Sequence, residues 1–389
     1  MEETTCVIAG GGPAGMMLGL LLARAGVKVV VLEKHADFLR DFRGDTVHPS
    51  TLEILDELGL GARFAGLPQR HARKITAVTD TDTVTIGDLS QLRGRHPYIA
   101  FVPQWDFLDL LAEAARAFPN FDLRMRCEAL SFTGDGVLYR DPEGAERRIR
   151  ADLTVAADGR SSVLRAGLPL REHGAPMDVG WFRLPRVPDD PEDPILRLGT
   201  GKMMVAINRE TYWQLGYIVP KGDPVEDPET VRPHVAKLLP FLAGRVAEID
   251  AISRLTVQVN RLRRWHRPGL LCIGDAAHAM SPVLGVGINL AVQDAVAAAN
   301  LLYRPLLEGN LSSRHLAAVQ RRRTPATVVI QRLQLTIQDR VIAPALEGAS
   351  PPPVRYLSYV RPLQRAAVSL IAKGLRPEHV QVPLAPAER

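Results

Sequence analysis

The chain of 389 residues is poor in cysteine, with only Cys6, Cys127 and Cys272, and no two of them stand at a C-x-x-C or C-x-x-x-x-C spacing. That spacing excludes a redox-active disulfide and a zinc site, so no metal is expected. Each lies in or beside an apolar run, where a buried free thiol is the expectation. No apolar run approaches the roughly 20 residues that a membrane span needs. Residues 1–9 lead straight into a strand pattern, leaving no room for a signal peptide, and a cytoplasmic location is expected. There is no internal repeat and no long low-complexity tract. The basic excess, formally +5, is spread along the chain and forms no nucleic-acid patch.

What the chain does have is a glycine-rich turn at its start. Gly10-Gly11-Gly12-Pro13-Ala14-Gly15 follows a strand-like run, 5–9, and opens a helix-like run, 14–25. Gly10 permits a tight turn out of the strand, Gly12 lets backbone approach a pyrophosphate, and Gly15 lets helix and strand pack closely. The next strand, 27–32, is β-branched and ends at Glu33 and Lys34. An acid about 20 residues on suits a ribose hydroxyl and repels a 2′-phosphate. A dinucleotide is therefore expected here, held by Gly10, Gly12, Pro13, Ala14, Gly15, Glu33 and Lys34.

The α/β rhythm is broken twice. Residues 73–96 alternate like strands, and 171–267 are strand-rich with Pro and Asp clusters between strands. A hairpin is predicted from 203–207 and 212–219 around Asn208-Arg209-Glu210. Helices are predicted over 50–58, 105–118 and 290–302. A basic, partly amphipathic run, 355–373, is expected to close as a helix over the nucleotide domain, with surface contact to a membrane or a lipophilic substrate as the alternative.

A second motif lies more than two hundred positions from the first: Gly274-Asp275-Ala276-Ala277-His278, then Pro282, Gly285, Gly287 and Asn289. Together with Asp158-Gly159, within Ala156-Ala157-Asp158-Gly159-Arg160-Ser161-Ser162, these elements resemble the flavin-dependent aromatic hydroxylases typified by para-hydroxybenzoate hydroxylase. The resemblance covers residues 1 to about 300. It implies FAD as the bound dinucleotide, with NADPH or NADH as a transient electron donor that needs no second glycine fingerprint. The implied fold is α/β: a discontinuous Rossmann-like FAD-binding domain (1–72, 97–170 and 268–340), an inserted, mostly antiparallel β-sheet substrate domain (73–96 and 171–267), and a C-terminal helical segment (341–389).

The resemblance also assigns roles. Asp275 accepts a hydrogen bond from a ribityl hydroxyl, Pro282 is a rigid apolar wall beside the reactive carbon, and Gly285 and Gly287 let backbone approach the ring. The amides of Ile288 and Asn289, at a helix start, face the flavin and stabilise its reduced anion. Val286 and Ile288 replace the Gln and Met frequent in the family, a change that backbone amides tolerate. Arg43 contacts the adenosine and phosphates, Gln104 reaches the phosphates or ring edge, and Asp158 belongs to a dual FAD and NAD(P)H motif. Gly274 completes the cofactor set. His48 falls along the flavin face, where an imidazole is suited to accept a phenolic proton. The implied cycle passes hydride to FAD and oxygen to the substrate through a flavin C4a-hydroperoxide. The expected substrate is a small aromatic, phenolic or polyketide-like molecule, on a sheet carrying Trp181, Met203, Tyr212, Trp213, Gln214 and Tyr217. Alternation turns Tyr212 and Gln214 one way, Trp213 and Tyr217 the other. A reductase or dehydrogenase on the same frame, an antibiotic-inactivating enzyme of tetracycline or rifamycin type, and a Baeyer-Villiger or epoxidising monooxygenase remain alternatives. A monomer or homodimer is expected, with no nucleic-acid partner.

Overall fold

The computed structural model describes residues 2–39, 45–80, 82–349 and 361–385, without the side chains of 361–364. Its centre is a sheet in which Leu270–Cys272, Glu146–Ala156, Glu2–Ala9, Val29–Glu33 and Phe121–Met125 lie side by side in that order, all parallel. Parallel strands covered on both faces read as continuous apolar runs, and every residue of Val29–Glu33 is buried. One face carries the helices Pro13–Arg24, Gln104–Arg116 and Gly287–Leu307 on Ile8, Val29 and Val31. On the other, Val7, Val30 and Leu32 pack with Trp265, Leu164 and Tyr139. All three cysteines are free and buried, which pushes their thiols up and leaves them inert.

A second sheet of seven strands runs Ser253–Leu255, Met177–Pro185, Tyr212–Pro220, Lys202–Asn208, Ile195–Gly199, Lys74–Val78, Thr83–Asp88. Every neighbouring pair is antiparallel except Ile195–Gly199 against Lys74–Val78. The early strands 74–88 thus join strands that begin only at Met177. Glu210, in the hairpin turn, holds a left-handed φ of +67°.

One expectation from the sequence is corrected. The stretch Val283–Leu307 is long and apolar enough to cross a bilayer. Yet 72% of its most apolar part is buried inside the fold, as befits a helix packed on nearly all sides. Pro13–Arg24 and Ser313–Ile337 are among its neighbours. The C-terminal helix, Arg361–Lys373, sits against Pro49–Glu57 and Thr83–Asp88. Beyond it, residues 374–385 run back along the first sheet's helices, with the Val380 amide donating to Glu57 at 2.8 Å and that of Ala385 to the Arg24 carbonyl at 2.8 Å.

Candidate active site

Parallel register brings the distant motifs to one edge. The Ala157 amide donates to the Ala9 carbonyl, that of Ile273 to Ala156, and that of Gly10 to Leu32. Gly10, Asp158, Asp275 and Glu33 therefore follow the carboxyl ends of four adjacent strands, where open α/β sheets bind ligands. Gly10 has φ +102°, and a Cβ there would lie 2.4 Å from the Ala157 carbonyl oxygen. At Gly15 a Cβ would lie 2.0 Å from the Gly10 carbonyl oxygen. At Gly12 it would meet nothing within 4 Å. Glu33 is 2% exposed; its carboxylate accepts from the amides of Gly11 at 2.8 Å and His35 at 3.0 Å, fixing the turn. Lys34 is exposed. Asp158 turns back to accept from the Val163 amide at 2.9 Å. Arg160, which sequence reasoning quoted but did not assign, reaches Asp275 at 3.4 Å and joins the two aspartate motifs.

The loop after Asp275 is braced from several elements. Gln334 donates to the carbonyls of Ser281 at 2.9 Å and Val283 at 2.7 Å, on either side of Pro282. Leu284 is in the left-handed region at φ +72°, and Gly285 at +61° backs onto Thr46, whose hydroxyl donates to its carbonyl at 2.5 Å. The Asn289 side chain accepts from Ser50 at 2.9 Å and Thr51 at 2.6 Å, both on helix Pro49–Glu57. Ile288 is 6% exposed and packs in the core.

His48 does not serve as the base. It is fully buried, with Nδ1 3.1 Å from the Ile371 carbonyl and Nε2 3.1 Å from that of Gly285. Neither nitrogen has a lone pair turned to a ligand. Burial pulls its pKa down to about 4 against the two carbonyls, which favour the protonated ring. The imidazole is a strut between the loop at Gly285 and the helix Arg361–Lys373. Because the folded pKa lies below the ordinary 6.5, His48 contributes stability that is complete above pH 6.5 and lost as pH falls towards 4. The loss is on the order of 3 kcal/mol. His48→Gln should show a shallower fall in urea midpoint between pH 7 and 4.5, and no shift in the pH profile of turnover.

A buried ionic network lies behind the Gly274 turn. Asp294, 0% exposed, accepts from the Gly274 amide at 3.1 Å, from His278 Nε2 at 2.6 Å and from Arg323 Nε at 2.9 Å. Arg323 also reaches Glu378 at 3.4 Å, so the C-terminal segment joins in. The His and Arg partners hold Asp294 below the usual carboxylate range despite its burial.

On the second sheet, register decides which face meets this loop. Trp181, Gln214, Met203, Val205 and Ile218 share one face, and there Met203, Ile218 and Trp181 cluster with Val283 and Leu335. The Trp181 ring lies across Gly216. Tyr212 is on the same face at the sheet's end, under the Arg183 guanidinium. Trp213 and Tyr217, expected to be substrate residues, are on the opposite face. Trp213 is fully buried, with Nε1 donating to Asp190 at 2.8 Å, and Tyr217 hydroxyl is 2.9 Å from His234 on helix Pro228–Leu238. They are core residues, because that helix covers their side of the sheet. Sequence reasoning also missed a buried pair, Asp45 with Arg209. Arg209 donates to Gln214 at 2.8 Å, and burial pushes the Asp45 carboxyl up. The backbone N–H of Gln104, at the start of its helix, donates to the same carboxylate. Arg43 lies outside the described residues.

These residues fit a flavin dinucleotide. Helices Pro13–Arg24 and Gly287–Leu307 both begin without a side-chain cap and without an acid in the first turn. Helix starts of this kind suit the oxygens of an anion. A Cβ at Gly274 would touch Ala14 and Ala291, so the two helix starts converge on the Gly-Asp turn. At Gly287, as at Gly12, a Cβ would meet nothing within 4 Å.

An uncapped Rossmann turn facing a Gly-Asp loop and a second sheet defines a flavoprotein hydroxylase frame. A family model described as FAD binding domain matches residues 3–333. The chain is 33% identical to 6-methylpretetramide 4-monooxygenase of Streptomyces rimosus, over 96% of this chain and 93% of that protein. It is 26% identical to aklavinone 12-hydroxylase DnrF of Streptomyces peucetius, over 100% of this chain and 85% of that one. The solved structure of OxyS anhydrotetracycline hydroxylase from Streptomyces rimosus superposes with a TM-score of 0.76 at 27% identity, over 95% of this chain and 76% of that chain. The chain belongs to the flavin-dependent aromatic hydroxylase family. It is a flavin-dependent monooxygenase, an oxidoreductase with FAD as cofactor and a nicotinamide nucleotide as electron donor.

Proposed function

We propose that this enzyme hydroxylates a fused-ring aromatic or polyketide-like compound bound beside the junction where the sheet face of Trp181 meets the loop at Pro282. The observation that carries this reading is the meeting of the two surfaces: Val283, next to Pro282, packs into the same apolar cluster as Met203 and Trp181. The names of the S. rimosus and S. peucetius relatives, which describe polycyclic substrates, support it.

When bound, FAD supplies the redox chemistry and the activation of dioxygen. The protein's part is placement and charge. Asp275 would accept from the ribityl chain, a carboxylate acceptor that needs no proton of its own. Arg160 steadies that carboxylate. Pro282 offers a rigid wall with no N–H, and the helix-start amides of Ile288 and Asn289 would stabilise negative charge on a bound flavin. Asn289 keeps that helix start in place through Ser50 and Thr51. No side chain of this chain is assigned as an acid or base. The working parts divide as 1–72, 97–170 and 268–340 for FAD, 73–96 and 171–267 for substrate, and 341–389 as a brace. We place the enzyme in the cytoplasm, as a monomer or homodimer.

The test is a panel of phenols, anthracyclinones and tetracycline-type intermediates, scored by stimulated NAD(P)H oxidation under ¹⁸O₂. A product carrying one labelled oxygen is expected from a polycyclic member. NAD(P)H oxidation that reduces a substrate without label in the product would instead make the enzyme a reductase.

A further inference from the structure

Arginines without counter-charges gather on the outer side of the segment that carries the flavin loop. Strands Leu170–Glu172 and Asn260–Leu262 pair antiparallel and set Arg171 directly opposite Arg261. Like charges in that register oppose the pairing. Arg332 adds a third. It follows Gln331, which accepts from Arg261 at 2.8 Å and donates to the Asn260 carbonyl at 2.9 Å. Among the described residues no carboxylate pairs with Arg171, Arg261 or Arg332. Burial, then Arg171 and Arg332, pull the Arg261 guanidinium below its usual range. His173 feels burial, Arg171 and Arg261 in the same sense, and its Nε2 is buried without a partner. Positive charge concentrated against its own repulsion is what an anion site requires.

The cluster continues into an open groove of about 700 Å³ between residues 263–266 and helix Ser313–Ile337. Arg263, Arg264, His266, Arg321, Thr324 and Val328 line it. The helix gives a scale. Gln334 bonds the carbonyls flanking Pro282, so it marks the flavin loop. At 1.5 Å per residue, Arg332 stands about 3 Å from Gln334 along the axis and Arg321 about 20 Å. An extended dinucleotide with one end at the flavin loop spans that distance.

We propose that this strip docks the nicotinamide dinucleotide, with Arg171, Arg261 and Arg332 binding its pyrophosphate and Arg263, Arg264 and Arg321 its adenosine end. Guanidinium forks suit phosphate oxygens and lose little on ordering. Three arginines at the adenosine end match a 2′-phosphate, so NADPH is preferred to NADH. The proposal rests on the reading that the enzyme consumes NAD(P)H. It concerns a nucleotide that visits and leaves, and it is separate from the FAD site at the glycine turn.

The test is steady-state kinetics of NADPH and NADH oxidation at several salt concentrations, with FAD content measured on each variant. Arg171→Ala/Arg332→Ala should raise KM at least tenfold for both donors and flatten the fall of kcat/KM with salt. Arg264→Ala/Arg321→Ala should raise KM for NADPH at least fivefold and leave that for NADH within twofold. These side chains are exposed, so the variants should fold and keep FAD. A wild type that oxidises one of the donors, with KM and salt dependence unmoved in both double variants, overturns the groove alone. A wild type that oxidises neither overturns the reading beneath it. Equal effects of Arg264→Ala/Arg321→Ala on the two donors would overturn the 2′-phosphate assignment.

Discussion

Asp294→Ala is expected to cost about 3–5 kcal/mol of stability, and to release FAD with it. The carboxylate is wholly buried in a largely apolar helix, and three donors converge on it. Without it, the Arg323 guanidinium and His278 are left buried without their principal acceptor, and Glu378 only partly compensates Arg323. Removing one member of a buried pair is far more damaging than never having had the pair. The Gly274 amide also loses its partner. Gly274 sits at φ +57° between two helix starts, so a loosened turn moves Asp275. Asp294→Asn keeps shape and some acceptor capacity and should fall between. The contrast is Arg63 with Glu113, 2.6 Å apart but with side chains 48% and 62% exposed. Glu113→Gln should cost under about 1 kcal/mol. Urea midpoints and FAD per chain measure both.

Gly15→Ala is expected to yield protein with under a tenth of the wild-type FAD. Its Cβ would stand 2.0 Å from the Gly10 carbonyl oxygen, a backbone atom that cannot swing aside. Helix and strand must part, and the amides at the helix start leave the position where a pyrophosphate would meet them. Overpacking of this kind costs about 1–3 kcal/mol, so the apoprotein should also melt lower. Gly12→Ala separates the two effects. Its Cβ meets nothing in the protein, so the apoprotein should melt as wild type while FAD binding weakens. Equal melting of both variants would mean that Gly15 serves only the cofactor.

Much of this was legible in the chain. The glycine turn, Glu33 and the Gly274-Asp275 turn are local patterns whose spacing implies a strand, a turn and a helix. The sheet then only has to lay Glu2–Ala9 beside Glu146–Ala156, and that beside Leu270–Cys272. The hairpin around Asn208-Arg209-Glu210 is equally local. The face of that hairpin was not legible. Alternation separates Gln214 from Trp213, but only helix Pro228–Leu238, packed on one side, says which residue is core. His48 misled for a similar reason. Proximity to the flavin face is a property of the chain path, whereas the two carbonyls that occupy the ring come from Gly285 and from Ile371, more than 300 residues away. Asp294 did leave a signal. An acid inside Leu290-Ala291-Val292-Gln293-Asp294-Ala295-Val296-Ala297 has no solvent to face, and so it must have a buried partner. Asp45 and Arg209 left none, since each stands in a polar loop.

The most direct measurement is the FAD content of purified wild type and Asp275→Ala, by release from denatured protein after equilibration with excess FAD. One FAD per chain for wild type and a dissociation constant at least tenfold weaker for Asp275→Ala, with unchanged melting of the apoproteins, is the predicted result. A variant that binds FAD as tightly as wild type would contradict the claim that the Gly-Asp turn and the glycine turn hold one flavin between them.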